Sequence, residues 1–158
     1  THVGLLRGEP WRTDALPGLV VWGLDDPMSN LARPGRYPLI DSWGARLDSG
    51  CFNLLLAHRP DAFPAAARAG FDLQLSGHTH GGQIHVTTPL GRVHFSSVLG
   101  PYDLGSFERP GVGPERLSRL YVNRGLGYTG LPYRRNCSTE ITLVELRATP
   151  SNLSLPQF

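Results

Sequence analysis

At 158 residues the chain is long enough to bury a real core in one domain. A hydrophobic share of 40%, a charged share of 18% and a formal net charge of only +2 are ordinary for a soluble globular protein and give nucleic-acid binding little support. The 19 glycines and 14 prolines argue for a turn-rich, strand-heavy chain rather than a helical bundle.

All the basic residues are arginine, which fits phosphate recognition or, more blandly, the codon bias of a G+C-rich genome. Cys51 and Cys137 form no disulfide framework and no Cys-x-x-Cys motif, so free, partly buried thiols are expected. No run approaches the ~18 apolar residues that span a bilayer, and Thr1-His2-Val3 does not read as a signal peptide.

In chain order, His2–Leu6 and Gly18–Gly23 read as strands around a Pro/Asp-rich turn, and Asp25-Asp26-Pro27 ends the second. Residues 29–50 are polar, with a short helix expected near Ile40–Leu47. Cys51–Ala57 is a continuous apolar run of buried-strand type. Pro60–Ala69 reads as a short helix stopped by Gly70, and Phe71–Ser76 as another strand. Strand, helix and strand within ~25 residues make a βαβ crossover, so the two strands should run parallel. Beyond Gly82, strands are predicted at Gln83–Thr88, Arg92–Val98, Ser118–Asn123 and Glu140–Arg147, with a long loop from Leu99 to Arg116 and a polar tail over 149–158.

Parallel neighbours end on the same sheet edge, where α/β proteins build their sites. His58 follows the first strand of the crossover, and His78 and His80 follow the second, so topology alone brings three histidines to one rim. In an extended segment His78 and His80 would lie ~6.6 Å apart on one side, a spacing suited to gripping two ions ~3.5–4 Å apart. The glycines around them permit close approach and strained turns. Neutral imidazoles suit Zn, Mn and Fe. His85 and His94 lack this arrangement and read as ordinary hydrogen-bonding residues, with His85 near enough to line the site. Arg124, between a strand and the Gly125-Leu126-Gly127 loop, is equally readable as a phosphate contact or as half of an ion pair. Tyr102, Tyr128 and Tyr133 are candidate groove residues.

Leu54-Leu55-Leu56-Ala57-His58-Arg59-Pro60-Asp61 and Ser76-Gly77-His78-Thr79-His80-Gly81-Gly82-Gln83 together resemble the C-terminal motifs of calcineurin-like metallophosphoesterases. Gly23–Pro27, Tyr121–Gly127, Leu131–Arg134 and Glu140–Leu143 are similar to the bacterial membrane-associated branch of that family. The resemblance implies an α/β fold, part of a four-layer α/β/β/α sandwich with mixed sheets, over residues 1–148. It implies that His58 and His78 bind one divalent ion and His80 another, the two being Mn, Zn or Fe. The substrate would be a phosphate ester, with lipid-linked diphosphates among those the branch uses, and no nucleic acid is expected. Membrane association would come through a segment outside this chain.

The family's Asp-x-His, Gly-Asp-x-x-Asp and Gly-Asn-His segments do not occur in the 158 residues. The carboxylates that would balance two ions are therefore expected from a missing N-terminal half, and this chain alone should be inactive. Two alternatives remain: a non-catalytic remnant serving as a binding or interaction module, and a hydrolase holding one ion on three histidines.

Overall fold

The computed structural model describes residue 6 and residues 8–26, 37–89, 91–94, 100–113 and 116–147. Nine elements follow one another among them: β1 (Leu19–Leu24), α1 (Pro38–Trp43), β2 (Phe52–Ala57), α2 (Phe63–Ala69), β3 (Leu73–Ser76), β4 (His85–Thr88), β5 (Gly91–His94), β6 (Gly105–Pro110) and β7 (Leu117–Val122). Short 3-10 turns extend α1 at Gly44–Arg46 and precede α2 at Pro60–Ala62.

The main sheet has the order β1-β2-β3-β7-β6. Its first four strands are parallel, and only β6 runs antiparallel, against β7. The parallel pairing expected for the crossover is therefore present, and the fold is α/β. Leu24 pairs with Ala57, Leu56 with Leu75, and Ser76 with Val122, so the strands finish nearly in step. Hydrogen bonds continue past the strand ends, from Gly77 N–H to the His58 carbonyl (3.1 Å) and from Asn123 N–H to the Ser76 carbonyl (2.8 Å).

Helix α2 has Pro64 in its first turn, where no N–H is needed, and ends at Gly70, whose φ of 104° lets its N–H close on the Ala66 and Ala67 carbonyls. Its alanines allow close approach to the sheet. Val20, Trp22, Ile40, Trp43, Leu55, Ala62, Ala65, Ala66 and Phe71 form one core cluster, and Phe63, Ala67, Leu120 and Val122 a second. Trp22 lies 5.3 Å from Trp43 and edge-on to Phe71 at 6.0 Å, between ring centroids. Both helices thus cover one face of the sheet. The opposite face carries Leu54, Leu56, Leu73 and Leu75, with Leu56 40% exposed. Apolar residues on both faces are what a parallel strand needs when both faces are to be covered.

Two expectations change. Gly105–Pro110, predicted as loop, is strand β6: a glycine, charges and a proline are tolerated there because it is the edge strand. Glu140–Arg147, predicted as strand, forms none. Its neighbour β7 is already paired on both edges, by β3 and β6, so this segment is held instead through side chains. Ile141 and Leu143 are left 82% and 94% exposed. The predicted Arg92–Val98 strand is described as far as His94, while most of the 2–6 strand and the 149–158 tail lie outside the described residues. The described residues form one helix-covered sheet and the separate β4–β5 ribbon; by themselves they do not make the two-sheet sandwich.

Trp22→Ala should lower the free energy of unfolding by about 3–5 kcal/mol, because the void falls between two packed aromatic rings. Denaturant unfolding of the variant against the parent checks this.

Candidate metal centre

Four parallel strands deliver their last residues to one rim: Asp25 and Asp26 after β1, His58 after β2, His78 after β3 and Asn123 and Arg124 after β7. Buried polar side chains hold these ends together. Ser76 Oγ donates to the Ala57 carbonyl at 2.7 Å, and Gln74, fully buried, donates to the Arg59 carbonyl at 3.2 Å. The turn carrying His58 is thereby tied to the strand carrying His78.

His58 Nε2 and His78 Nδ1 face each other at 3.3 Å, with the rings nearly perpendicular. Two imidazole nitrogens this close need a proton or a cation between them to satisfy both lone pairs. Burial, then the positive charge of Arg59, pushes the His78 pKa below that of an ordinary imidazole, so the ring is held neutral. Neutral imidazole is the form that ligates metals.

The segment between His78 and Gln83 departs from the extended geometry expected of it. His78, His80 and Gln83 all have positive φ, at 69°, 51° and 54°, and His80–Gly82 is a 3-10 turn. Thr79 Oγ1 stabilises this turn by accepting from Gly81 N–H at 3.2 Å and donating to the Asp103 carbonyl at 2.5 Å. The turn sends the two histidines in different directions. His80 Nε2 meets Thr129 Oγ1 at 2.8 Å, and His80 Nδ1 is buried without a hydrogen-bond partner. His58, His78 and His80 nevertheless line one pocket of about 570 Å³, with Ile84 and Leu131 supplying apolar wall and Gln83 and Thr129 polar groups.

These observations suit a divalent metal in part. Two nitrogens converge, one ring is held neutral, and a third histidine carries a buried nitrogen with nothing bound to it. Among the described residues, however, no group of three His, Cys, Asp or Glu side chains could hold an ion.

The other sequence candidates sort differently. Arg124 does not line the pocket: its Nε donates to Glu140 Oε2 at 2.7 Å and its Nη1 to Ser138 at 3.3 Å. The ion-pair reading of Arg124 is therefore occupied in this structure. Burial opposes ionisation of Glu140, but hydrogen bonds from Thr142, Tyr121 and Arg124 outweigh it and bring its carboxyl down to about 2. His85 stacks on His94 with centroids 4.7 Å apart and bonds the Gly81 carbonyl at 2.6 Å. It supports the turn and does not line the pocket. Tyr102 packs edge-on against Phe63 and Phe107, while Tyr128 and Tyr133 are exposed. Both cysteines are free thiols. Gln83 and Thr129 were missed in the sequence, since their pairing (Gln83 Oε1 accepts from Thr129 N–H at 2.7 Å) spans 46 residues.

Known proteins with related sequences point to one family. The Bacillus subtilis protein named uncharacterized metallophosphoesterase YkuE is 40% identical over 112 residues, covering 66% of this chain and 34% of that protein. Escherichia coli phosphodiesterase YaeI is 39% identical over 94 residues, covering 59% of this chain and 32% of that protein. The chain belongs to the metallophosphoesterase family. A Danio rerio transmembrane protein with metallophosphoesterase domain is 33% identical over 153 residues, covering 93% of this chain and 31% of that protein. This chain thus spans about a third of the length of these relatives. No family model and no solved structure matches it. Among the described residues no helix is long and apolar enough to cross a membrane.

Two outcomes are expected. Gly81 has a φ of 61°, and a Cβ there would sit 2.5 Å from Arg124 Cγ, so Gly81→Ala should cost about 2–3 kcal/mol in a thermal or denaturant melt. Glu140 titrates in the folded protein below its ordinary value of 4.5, so its contribution is fully present above that pH and is lost as pH falls toward about 2. Glu140→Gln should therefore cost about 1–3 kcal/mol at neutral pH, and the gap to the parent should close on acidification.

Proposed function

We propose that the complete protein is a metal-dependent phosphoesterase, hydrolysing a phosphomonoester, phosphodiester or diphosphate. The observation carrying this reading is the 3.3 Å approach of His58 and His78 in a pocket shared with His80, at the C-terminal edge of a parallel sheet. His58 and His78 would hold one divalent ion and His80 a second, with Mn, Zn and Fe as the candidates. Bound divalent ions supply Lewis acidity toward a phosphoryl oxygen and make water a stronger nucleophile near neutral pH.

The chain's own residues prepare the site for that role. Burial and the Arg59 charge keep His78 neutral and ready to donate a lone pair. Thr129 fixes one nitrogen of His80 and leaves the other for a ligand. Ile84 and Leu131 give the pocket an apolar side, which suits the organic part of an ester and is compatible with a lipid-linked one. The two-sheet sandwich and the remaining anionic ligands would come from sequence outside this chain, so the 158 residues alone should be inactive.

The absence of a three-ligand group among the described residues favours a second reading, in which the fold persists as a binding module without turnover. Hydrolysis of an aryl phosphate mono- or diester by the full-length protein, with added Mn²⁺ or Zn²⁺, separates the two. His58→Ala should lower kcat/KM by about a hundredfold while the protein stays folded. Equal rates with and without His58 would sink the enzyme reading.

A further inference from the structure

We propose that Arg134 is a positioning residue of this centre, setting the direction of the His80 imidazole through backbone carbonyls without touching substrate or metal. The inference rests on the reading above, in which His80 is a ligand.

The guanidinium of Arg134 is used almost wholly on main-chain oxygens. Its Nη1 donates to the His80 carbonyl at 3.0 Å. Its Nη2 donates to Gly127 at 2.6 Å, to Arg124 at 2.8 Å and to Gly125 at 3.4 Å, and its Nε donates to Gly127 at 2.9 Å. One side chain therefore gathers carbonyls from the loop that follows β7 and from the turn that carries His80. These stretches lie more than forty residues apart in sequence.

The bonds bear on one histidine in particular. Gly127 lies against the His80 ring, with an added Cβ falling 3.8 Å from its Cε1. Two residues further on, Thr129 Oγ1 bonds His80 Nε2. Fixing the 124–127 carbonyls relative to the His80 carbonyl thus fixes the backbone of His80 and the surface its ring rests on. Cys137 adds to the same turn, its Sγ lying 3.5 Å from the His80 carbonyl and 3.3 Å from the Gly81 carbonyl. His58 and His78 depend on different bonds, those from Ser76 to Ala57 and from Gly77 to His58. The two halves of the centre are therefore aligned by separate devices.

The geometry calls for arginine specifically. A planar guanidinium offers five donors spread over a fork, whereas a lysine ammonium offers three from one point and cannot span the same carbonyls. The positive charge is also spent inside the protein, so its loss would not remove a substrate contact.

The test uses the full-length protein carrying Arg134→Met or Arg134→Lys, read in two ways. In metal-free protein, the imidazole NMR resonances of His80 should move in both variants while those of His58 and His78 stay at their parental positions. In metal titrations, the affinity for one of two ions should fall about tenfold to a hundredfold, the other should be retained, and added guanidinium ion should partly restore the first in Arg134→Met. Unchanged His80 resonances would overturn the proposal. So would equal displacement of all three histidines in Arg134→Lys, which would mean that the residue serves general stability. A parent protein that takes up no metal would refute the phosphoesterase reading alone, and the metal-free resonances would still decide what Arg134 does.

Discussion

The parallel register of β1, β2, β3 and β7 is the constraint on which the rest of the molecule depends. Each strand ends within a residue or so of its neighbour's end, and each is followed by a residue with chemistry to offer. A one-residue slip between β2 and β3 would exchange the sheet faces along one strand, burying Leu75 where Gln74 and Ser76 now reach the His58 turn. The polar residues inside the sheet therefore do more than satisfy themselves. Their bonds would be lost in any other register, so they help to select the one that brings the histidines together.

The crossover was legible in the sequence because its signals are local. Cys51–Ala57 is apolar but for Asn53, Gly70 stops the helix, and both strands lie within one short stretch. Convergence of His58 with His78 followed from that topology. The course of the chain from His78 to Gln83 did not. Three non-glycine residues with positive φ are stabilised by bonds to Asp103 and Thr129, partners far away in sequence. Likewise, the alternation of Glu140–Arg147 could not reveal that both edges of β7 are occupied, and β6 gave no apolar pattern because an edge strand does not need one. What was legible depended on neighbours in sequence; what was hidden depended on which places in the sheet were already taken.

Arg124, a candidate phosphate contact, and Arg134 both have partners within the protein. Arg124 closes on Glu140, itself bonded by Tyr121 and Thr142, and Arg134 closes on main-chain oxygens. Both brace the loop after β7. That loop is irregular and rich in glycine, and it has no strand ladder to satisfy its carbonyls, so side-chain donors must do so. Rigidity at the rim is thus supplied by charged side chains at a place where regular structure has ended.

The backbone at His78 and His80 also bears on the choice between an enzyme and a remnant. Left-handed φ values are most easily taken by glycine or asparagine, and a histidine placed there carries a conformational cost of about 1 kcal/mol or more. Under the proposed metal role both positions must stay histidine despite that cost. Both imidazoles are also used within the protein: His78 faces His58 at 3.3 Å, and His80 Nε2 meets Thr129 Oγ1 at 2.8 Å. Replacing either by glycine would ease the torsion and remove those contacts together.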